Sequence, residues 1–199
     1  MKRIGLVGGV ASGKSLVAQQ MCDLGAGLLD ADKAGHDVLR MPEVIDALRR
    51  RCGDGVLTDD GQVDRAAVGR IVFAPGDEGL RERKYLEQLT HSRIGRLLKE
   101  QEDELSARGV PAVVLDAPLL LESGWGDFCD KIVYVEAPYE VRQGRAQRRG
   151  WSNADFAARE AAQESLDAKR RRADFTIDNS GSAESTRAQV ERFWRSLIG

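Results

Sequence analysis

The chain has 199 residues, of which 30 are Lys or Arg and 32 are Asp or Glu, giving a formal net charge of -2. With 42% hydrophobic and 31% charged residues, it has the composition of one globular domain with room for small insertions, not of a disordered chain. The near balance of charge excludes a whole-protein basic footprint for duplex nucleic acid and leaves open a local cationic pocket. The basic residues are 23 Arg against 7 Lys, a skew that suits either genome composition or phosphate handling by the planar guanidinium.

No run approaches the roughly 20 apolar residues that span a bilayer; the longest, Val110 to Leu115, is cut by Asp116. Lys14 follows Ile4-Gly5-Leu6-Val7 too soon for a secretory leader. Cys22, Cys52 and Cys129 are too few and too scattered for a disulfide framework or a zinc site. A cytoplasmic location, reduced thiols, and neither a membrane nor a nucleic-acid partner are the expectations. No heptad pattern or exposed apolar stripe specifies an oligomer.

In chain order, residues 3–7 read as a short buried strand. A helix runs from about Lys14 to Leu24, with Gly25 as its stop. Gly27 to Asp30 is a second strand, and helical patterns dominate 33–107, with Pro42 in the first turn of one helix and 78–107 forming one long helix or two. Val110 to Leu115 and Lys131 to Val135 are buried strands. Residues 138–149 and 152–168 are helical, the latter capped by Ser152 with Asp155 three residues on. Phe175 to Ile177 is a last strand before a helix over 183–197.

Alternating strands and helices predict an α/β fold with a short parallel sheet flanked by helices. The expected organisation is a single domain: a core of residues 1–32, 108–140 and 173–199, a helical insertion at 33–107 and a smaller one at 141–172. In a kinase the first would hold the acceptor and the second would close over the phosphates.

Gly8-Gly9-Val10-Ala11-Ser12-Gly13-Lys14-Ser15 fits G-x-x-x-x-G-K-[ST] in full, after a strand and before a helix. Glycines at 8 and 13 permit close backbone approach, successive N–H groups form an anion-binding concavity, and the helix points its positive end there. Lys14 is the candidate to bridge the β- and γ-phosphates of ATP, and the Ser15 hydroxyl the candidate Mg²⁺ ligand. Asp116, ending a strand, is a second Mg²⁺ candidate through water, or a cap.

The loop alone leaves kinase, switch and motor open. The two asparagines, Asn153 and Asn179, are not followed by Lys, which counts against a guanine-reading switch, and the chain is short for a motor. A small-molecule kinase fits best. Asp32, in Asp30-Ala31-Asp32, is placed to accept a hydroxyl proton or simply to cap the next helix. Arg142, Arg145 and Arg149 share one helical face, either solvated or closing over the transferred group. The run Lys169-Arg170-Arg171-Arg172 reads as the solvated end of a helix.

The loop, Leu24-Gly25, Leu29-Asp30-Ala31-Asp32, Leu89-Thr90-His91, Leu115-Asp116-Ala117-Pro118-Leu119-Leu120-Leu121-Glu122, Arg145 with Arg149 and Gln163, and Ala173-Asp174-Phe175-Thr176-Ile177-Asp178-Asn179 occur in collinear order. Together they closely resemble the dephospho-CoA kinase family over nearly the whole chain. The resemblance implies transfer of the ATP γ-phosphate to the ribose 3′-hydroxyl of dephospho-CoA, the last step of coenzyme A synthesis. It implies Asp32 as base, Arg145 as the lid arginine and residues 8–15 with Leu16 around ATP, with the loop at Asn179 beside the adenine. It further implies an acceptor site bordered by Pro118 to Glu122, including Leu120 and Glu122, with His91, Arg142 and Arg149 as further acceptor contacts. Another P-loop kinase, acting on a nucleotide or sugar acid, is the alternative; a nucleotide-dependent switch is a more distant one.

Three residues depart from the family pattern. Ala11 stands where Gly is usual and is tolerable only if its φ is negative. Leu16 replaces Thr, removing a hydroxyl near the α-phosphate, and Ser92 replaces Pro after His91.

Overall fold

The computed structural model describes residues 1–117 and 119–199; Pro118, read as the start of the acceptor border, lies outside the described residues. Five short apolar segments form strands: β1 (Lys2–Gly8), β2 (Gly27–Asp30), β3 (Ala112–Asp116), β4 (Lys131–Glu136) and β5 (Phe175–Asp178). All pair in parallel, in the order β2-β3-β1-β4-β5. The first strand is therefore central, and its neighbours come from later in the chain. The chain leaves such a sheet to different sides at this switch point, which opens a crevice beyond the carboxyl end of β1. The register aligns Asp30 with Asp116 and Glu136 with Asp178, so acidic residues end four of the five strands along that same edge.

Alternation along a strand sends successive side chains to opposite faces. Ile4 and Leu6 of β1 join Val114, Val133, Val135 and Ile177 on one face. There α1 (Lys14–Asp23) contributes Val17, Ala18 and Met21, and α9 (Ala183–Ile198) contributes Val190 and Phe193. Each large aliphatic or aromatic side chain buried here stabilises the fold by about 1.5–3 kcal/mol. Gly5 opens the other face to close packing, because a Cβ there would sit 2.7 Å from Leu120 Cδ2 and 2.8 Å from Cys129 Sγ. Burial pushes the Cys129 thiol up to about 11.

Contacts divide the chain into two compact units, residues 1–30 with 102–199, and residues 31–101. Besides the sheet, the first holds α6 (Tyr139–Arg148), α7 (Asn153–Ala161) and α8 (Leu166–Arg172). The second holds α2 (Ala31–Val38), α3 (Pro42–Cys52), α4 (Arg65–Val72) and most of α5 (Asp77–Ala107), which is one helix throughout. Its own core gathers Val38, Val44, Leu48, Val56, Val68 and Val72 against Tyr85, Leu86 and Leu89 of α5. Pro42 opens α3, and Gly53, with φ of 81°, follows its end.

Two expectations are corrected. The single helix expected over 152–168 is two helices. Ser152 and Asp155 form a capping box at the start of α7, but the chain breaks at 162–165, and Ser165 caps α8 by accepting from the Ala168 N–H. The run Lys169 to Arg172 is not simply a solvated helix end. Lys169 is only 2% exposed, and its ammonium lies 2.7 Å from Gln163 Oε1 and 3.3 Å from Glu122 Oε1. Arg170 pairs with Glu136 at the end of β4, and Arg172 with Asp127. The charges complement carboxylates presented by the sheet edge and by the segment after β3, so α8 is tied to both.

Candidate active site

The loop from Gly8 to Gly13 joins β1 to α1 at the switch point. Gly8 takes a φ of +152°, and a Cβ on it would meet Val135 O at 2.4 Å. Gly13, with φ of +100°, leaves no room either, since its Cβ would fall 2.0 Å from Asn179 Nδ2. Between them Gly9 O accepts the Ser12 N–H at 3.1 Å, closing a β-turn in which Val10 and Ala11 are the central residues. Ala11 has φ of +58° and is the one non-glycine residue with positive φ among the described residues. The condition that its φ be negative is thus not met. The left-handed region costs an alanine about 1 kcal/mol relative to its ordinary conformation.

Donors from elsewhere in the fold hold this loop from behind. Ser12 O accepts from Asn179 Nδ2 at 2.7 Å and from Arg145 NH1 at 2.9 Å. A second nitrogen of Arg145 reaches Asn179 O at 2.8 Å. Asn179 itself is 1% exposed and accepts from Thr186 Oγ1 at 2.9 Å. This role of Asn179 was not legible as such. Its local signal is an Asn directly after the last strand, a position the family resemblance puts beside the adenine.

Lys14 folds back over the loop, its ammonium 3.3 Å from Gly8 O and 3.5 Å from Gly9 O. Burial pushes it down to about 8, against the opposing pull of Asp116 and with Lys169 and Arg142 adding to the depression. Ser12 Oγ is buried with no hydrogen-bond partner. A depressed ammonium, a polar atom lacking a partner and the amino end of α1 converge on one place. They make a site whose electrostatics are completed by an anion.

The remaining site residues divide between the two units. Leu16 is exposed on α1, and Ser15 is exposed in its first turn. Asp116 ends β3. Leu120 is buried, while Glu122 accepts the Glu164 N–H at 2.8 Å and pairs with Lys169. Burial alone would raise the Glu122 carboxyl, but these partners hold it below its usual range. Arg149 is exposed just past α6. Arg142 is 3% exposed, which corrects both the reading of a shared solvated face and the expected acceptor contact, since its guanidinium is engaged by protein groups. Its guanidinium donates to Ala137 O at 3.1 Å, to Val10 O at 3.4 Å and to Glu160. Asp32 and His91 belong to residues 31–101. α2 starts at Ala31, so Asp32 lies inside its first turn and is not its cap; His91 is on α5.

A Ser15 hydroxyl and an Asp116 carboxylate are hard oxygen donors of the kind that Mg²⁺ takes. Among the described residues no group of three His, Cys, Asp or Glu forms a cage for a metal ion.

A parallel sheet with a central β1, a G-x-x-x-x-G-K-S loop at its switch point and a half-buried lysine folded over that loop define a P-loop nucleotide-binding protein. The dephospho-CoA kinase family model matches residues 2–185. The dephospho-CoA kinase of Symbiobacterium thermophilum is 45% identical, covering 100% of this chain and 82% of its own length. That of Aquifex aeolicus is 40% identical, covering 99% and 98%. A solved structure from Thermus thermophilus shares 34% identity at a TM-score of 0.85, covering 100% of this chain and 98% of its own. The chain belongs to the dephospho-CoA kinase family.

Proposed function

We propose that the chain transfers the γ-phosphoryl group of ATP to the ribose 3′-hydroxyl of dephospho-CoA, giving coenzyme A and ADP. The observation that carries this reading is the loop at residues 8–15, braced from behind by Asn179 and Arg145, in a chain of this family. Lys14 and the loop N–H groups bind the β- and γ-phosphates, and Ser12 Oγ gains the partner it lacks. Ser15, and Asp116 through water, would hold Mg²⁺, which would neutralise phosphate charge there.

Asp32 accepts the proton of the 3′-hydroxyl as that oxygen forms its bond to the γ-phosphorus. The bond from phosphorus to the β,γ-bridging oxygen breaks, and ADP leaves with the electron pair. Arg145, already oriented by two carbonyls, supplies fixed positive charge beside the loop as charge spreads on the equatorial oxygens. His91, Leu120, Glu122 and Arg149 contribute to the acceptor side, and Asn179 and Leu16 to the nucleotide side. The reaction takes place in the cytoplasm, where both substrates are small soluble molecules.

An ATP-coupled assay with a panel of acceptors tests the reading. Dephospho-CoA is expected to turn over, and nucleoside monophosphates, shikimate and sugar acids are not. Turnover of one of those acceptors with none of dephospho-CoA overturns it, as does slow hydrolysis that no acceptor stimulates.

A further inference from the structure

We infer that Arg142 is a positioning residue that sets the direction of one peptide in the phosphate-binding loop. The inference rests on the reading of residues 8–15 as the triphosphate cradle and goes beyond it.

The turn Gly9-Val10-Ala11-Ser12 closes through the Ser12 N–H to Gly9 O bond. A negative φ at its first central residue and a positive φ at Ala11 are the signature of a type II turn. Types I and II differ chiefly by a flip of the central peptide, here the one joining Val10 to Ala11. In type I, Ala11 would relax to a negative φ, and alanine favours that form. Type II ordinarily uses glycine at this position. The loop's own sequence therefore pulls the Val10–Ala11 peptide toward the orientation the structure does not have.

Arg142 opposes that pull. Its NH1 faces Val10 O at 3.4 Å, while Nε is fixed on Ala137 O at 3.1 Å. Glu160 of α7 pairs with the same nitrogen that faces Val10. The rings of Tyr139 and Phe156 each lie 5.7 Å from the guanidinium carbon, and the side chain is 3% exposed. A Cβ on Gly9 would lie 2.6 Å from NH1, so the guanidinium lies directly against the loop backbone. Because a trans peptide is planar, holding the Val10 carbonyl toward Arg142 directs the Ala11 N–H the opposite way. A flipped peptide would exchange the two, turning a carbonyl oxygen toward the side on which the Ala11 N–H now lies. Phe156 and Ala146 pack on Val10, with Ala11 and Trp151 at their margin, so the clamp is continuous with α6 and α7.

The test is a double-mutant cycle on the whole enzyme, read by calorimetric ATP binding and by KM for each substrate. Arg142→Gln is expected to weaken ATP binding about tenfold, as for loss of a charged donor to a carbonyl. KM for ATP should rise with it, while KM for dephospho-CoA stays unchanged. Ala11→Gly removes the pull toward type I. In that background Arg142→Gln is expected to cost only about twofold, a coupling that a purely structural role for Arg142 does not produce.

Independent, multiplying effects of the two substitutions overturn the inference, as does unchanged ATP affinity in Arg142→Gln. If that variant fails to fold, Arg142→Lys keeps a charge opposite Glu160, cannot reach Ala137 and Val10 together, and enters the same cycle with the same criteria. A wild-type protein that binds no ATP overturns the cradle reading itself, and the inference with it.

Discussion

Asn179 Nδ2 donates to Ser12 O across 167 positions of sequence at 2.7 Å, and the same nitrogen lies where any side chain on Gly13 would have to go. The end of β5 is thus built into the back of the phosphate-binding loop. Its position depends on both partners of the Asn179 amide, since Oδ1 is anchored by Thr186.

Asn179→Ala removes a buried donor from the loop carbonyl, and the loss of such a bond costs about 1–3 kcal/mol. A melting temperature lower by about 2–12 °C is expected for a chain of this size, together with weaker ATP binding. Asn179→Asp is expected to be worse than Ala for nucleotide binding. An ionised carboxylate cannot donate to Ser12 O, and it adds negative charge beside the phosphates. Thermal melts with ATP titrations on both variants check the order, and an Asp variant that binds ATP better than the Ala variant refutes it.

Asp32 lies in the first turn of α2, immediately beyond β2. Asp32→Asn keeps size and hydrogen-bonding capacity but removes the base. It should leave ATP affinity within about twofold and lower kcat by about 10²–10⁴, the range typical of a lost general base. Rapid-quench measurement of phosphoryl transfer beside a separate ATP titration distinguishes the two effects. Unchanged turnover removes Asp32 from the role of base.

The sequence made the loop and the sheet legible because both are local. A spacing rule names residues 8–15, and short apolar runs between turn signals name all five strands to within about two residues. The break between α7 and α8 was masked because the helical pattern runs through it, although Ser165 three residues before Ala168 is a capping signal of its own. Spacing groups Arg142 and Arg145 of α6 with Arg149 just past it, but the three differ in environment for reasons no spacing contains. Arg142 meets a carbonyl 132 positions away and Arg145 one 133 positions away, while Arg149 stays exposed. Lys169 was misread for the same reason: a basic run reads as solvated until the carboxylate that buries it, Glu122, is placed opposite by the fold.

The Glu122–Lys169 pair leads to an asymmetric expectation. The Lys169 side chain is 2% exposed and that of Glu122 19%. Glu122→Ala leaves a buried ammonium with Gln163 as its remaining side-chain partner, and stranding a buried charge costs about 3–5 kcal/mol. Lys169→Met replaces the charge with an unbranched apolar chain and leaves a carboxylate that still accepts the Glu164 N–H; it is expected to cost about 1 kcal/mol or less. The double variant should be more stable than Glu122→Ala alone. Denaturant melts of the three proteins measure this, and equal losses in the two single variants contradict it.

Lys14 gives nucleotide binding a pH dependence of definite sign. Its ammonium is held at about 8, below its ordinary value of 10.5, chiefly by burial. Only the charged form attracts the phosphates. The free enzyme therefore has full ATP affinity below about pH 8 and should lose about tenfold per pH unit above it, until the opposing charge of the bound nucleotide limits the effect. Stability follows the other direction. Between about 8 and 10.5 the unfolded chain holds a proton that the folded chain has released, so this group's contribution to folding becomes less unfavourable as pH rises through that window. Calorimetric ATP titrations from pH 6.5 to 9.5 should show a break near 8. In Lys14→Arg the break should vanish, because the guanidinium stays charged throughout that range. A break that persists in the arginine variant assigns the titration to another group.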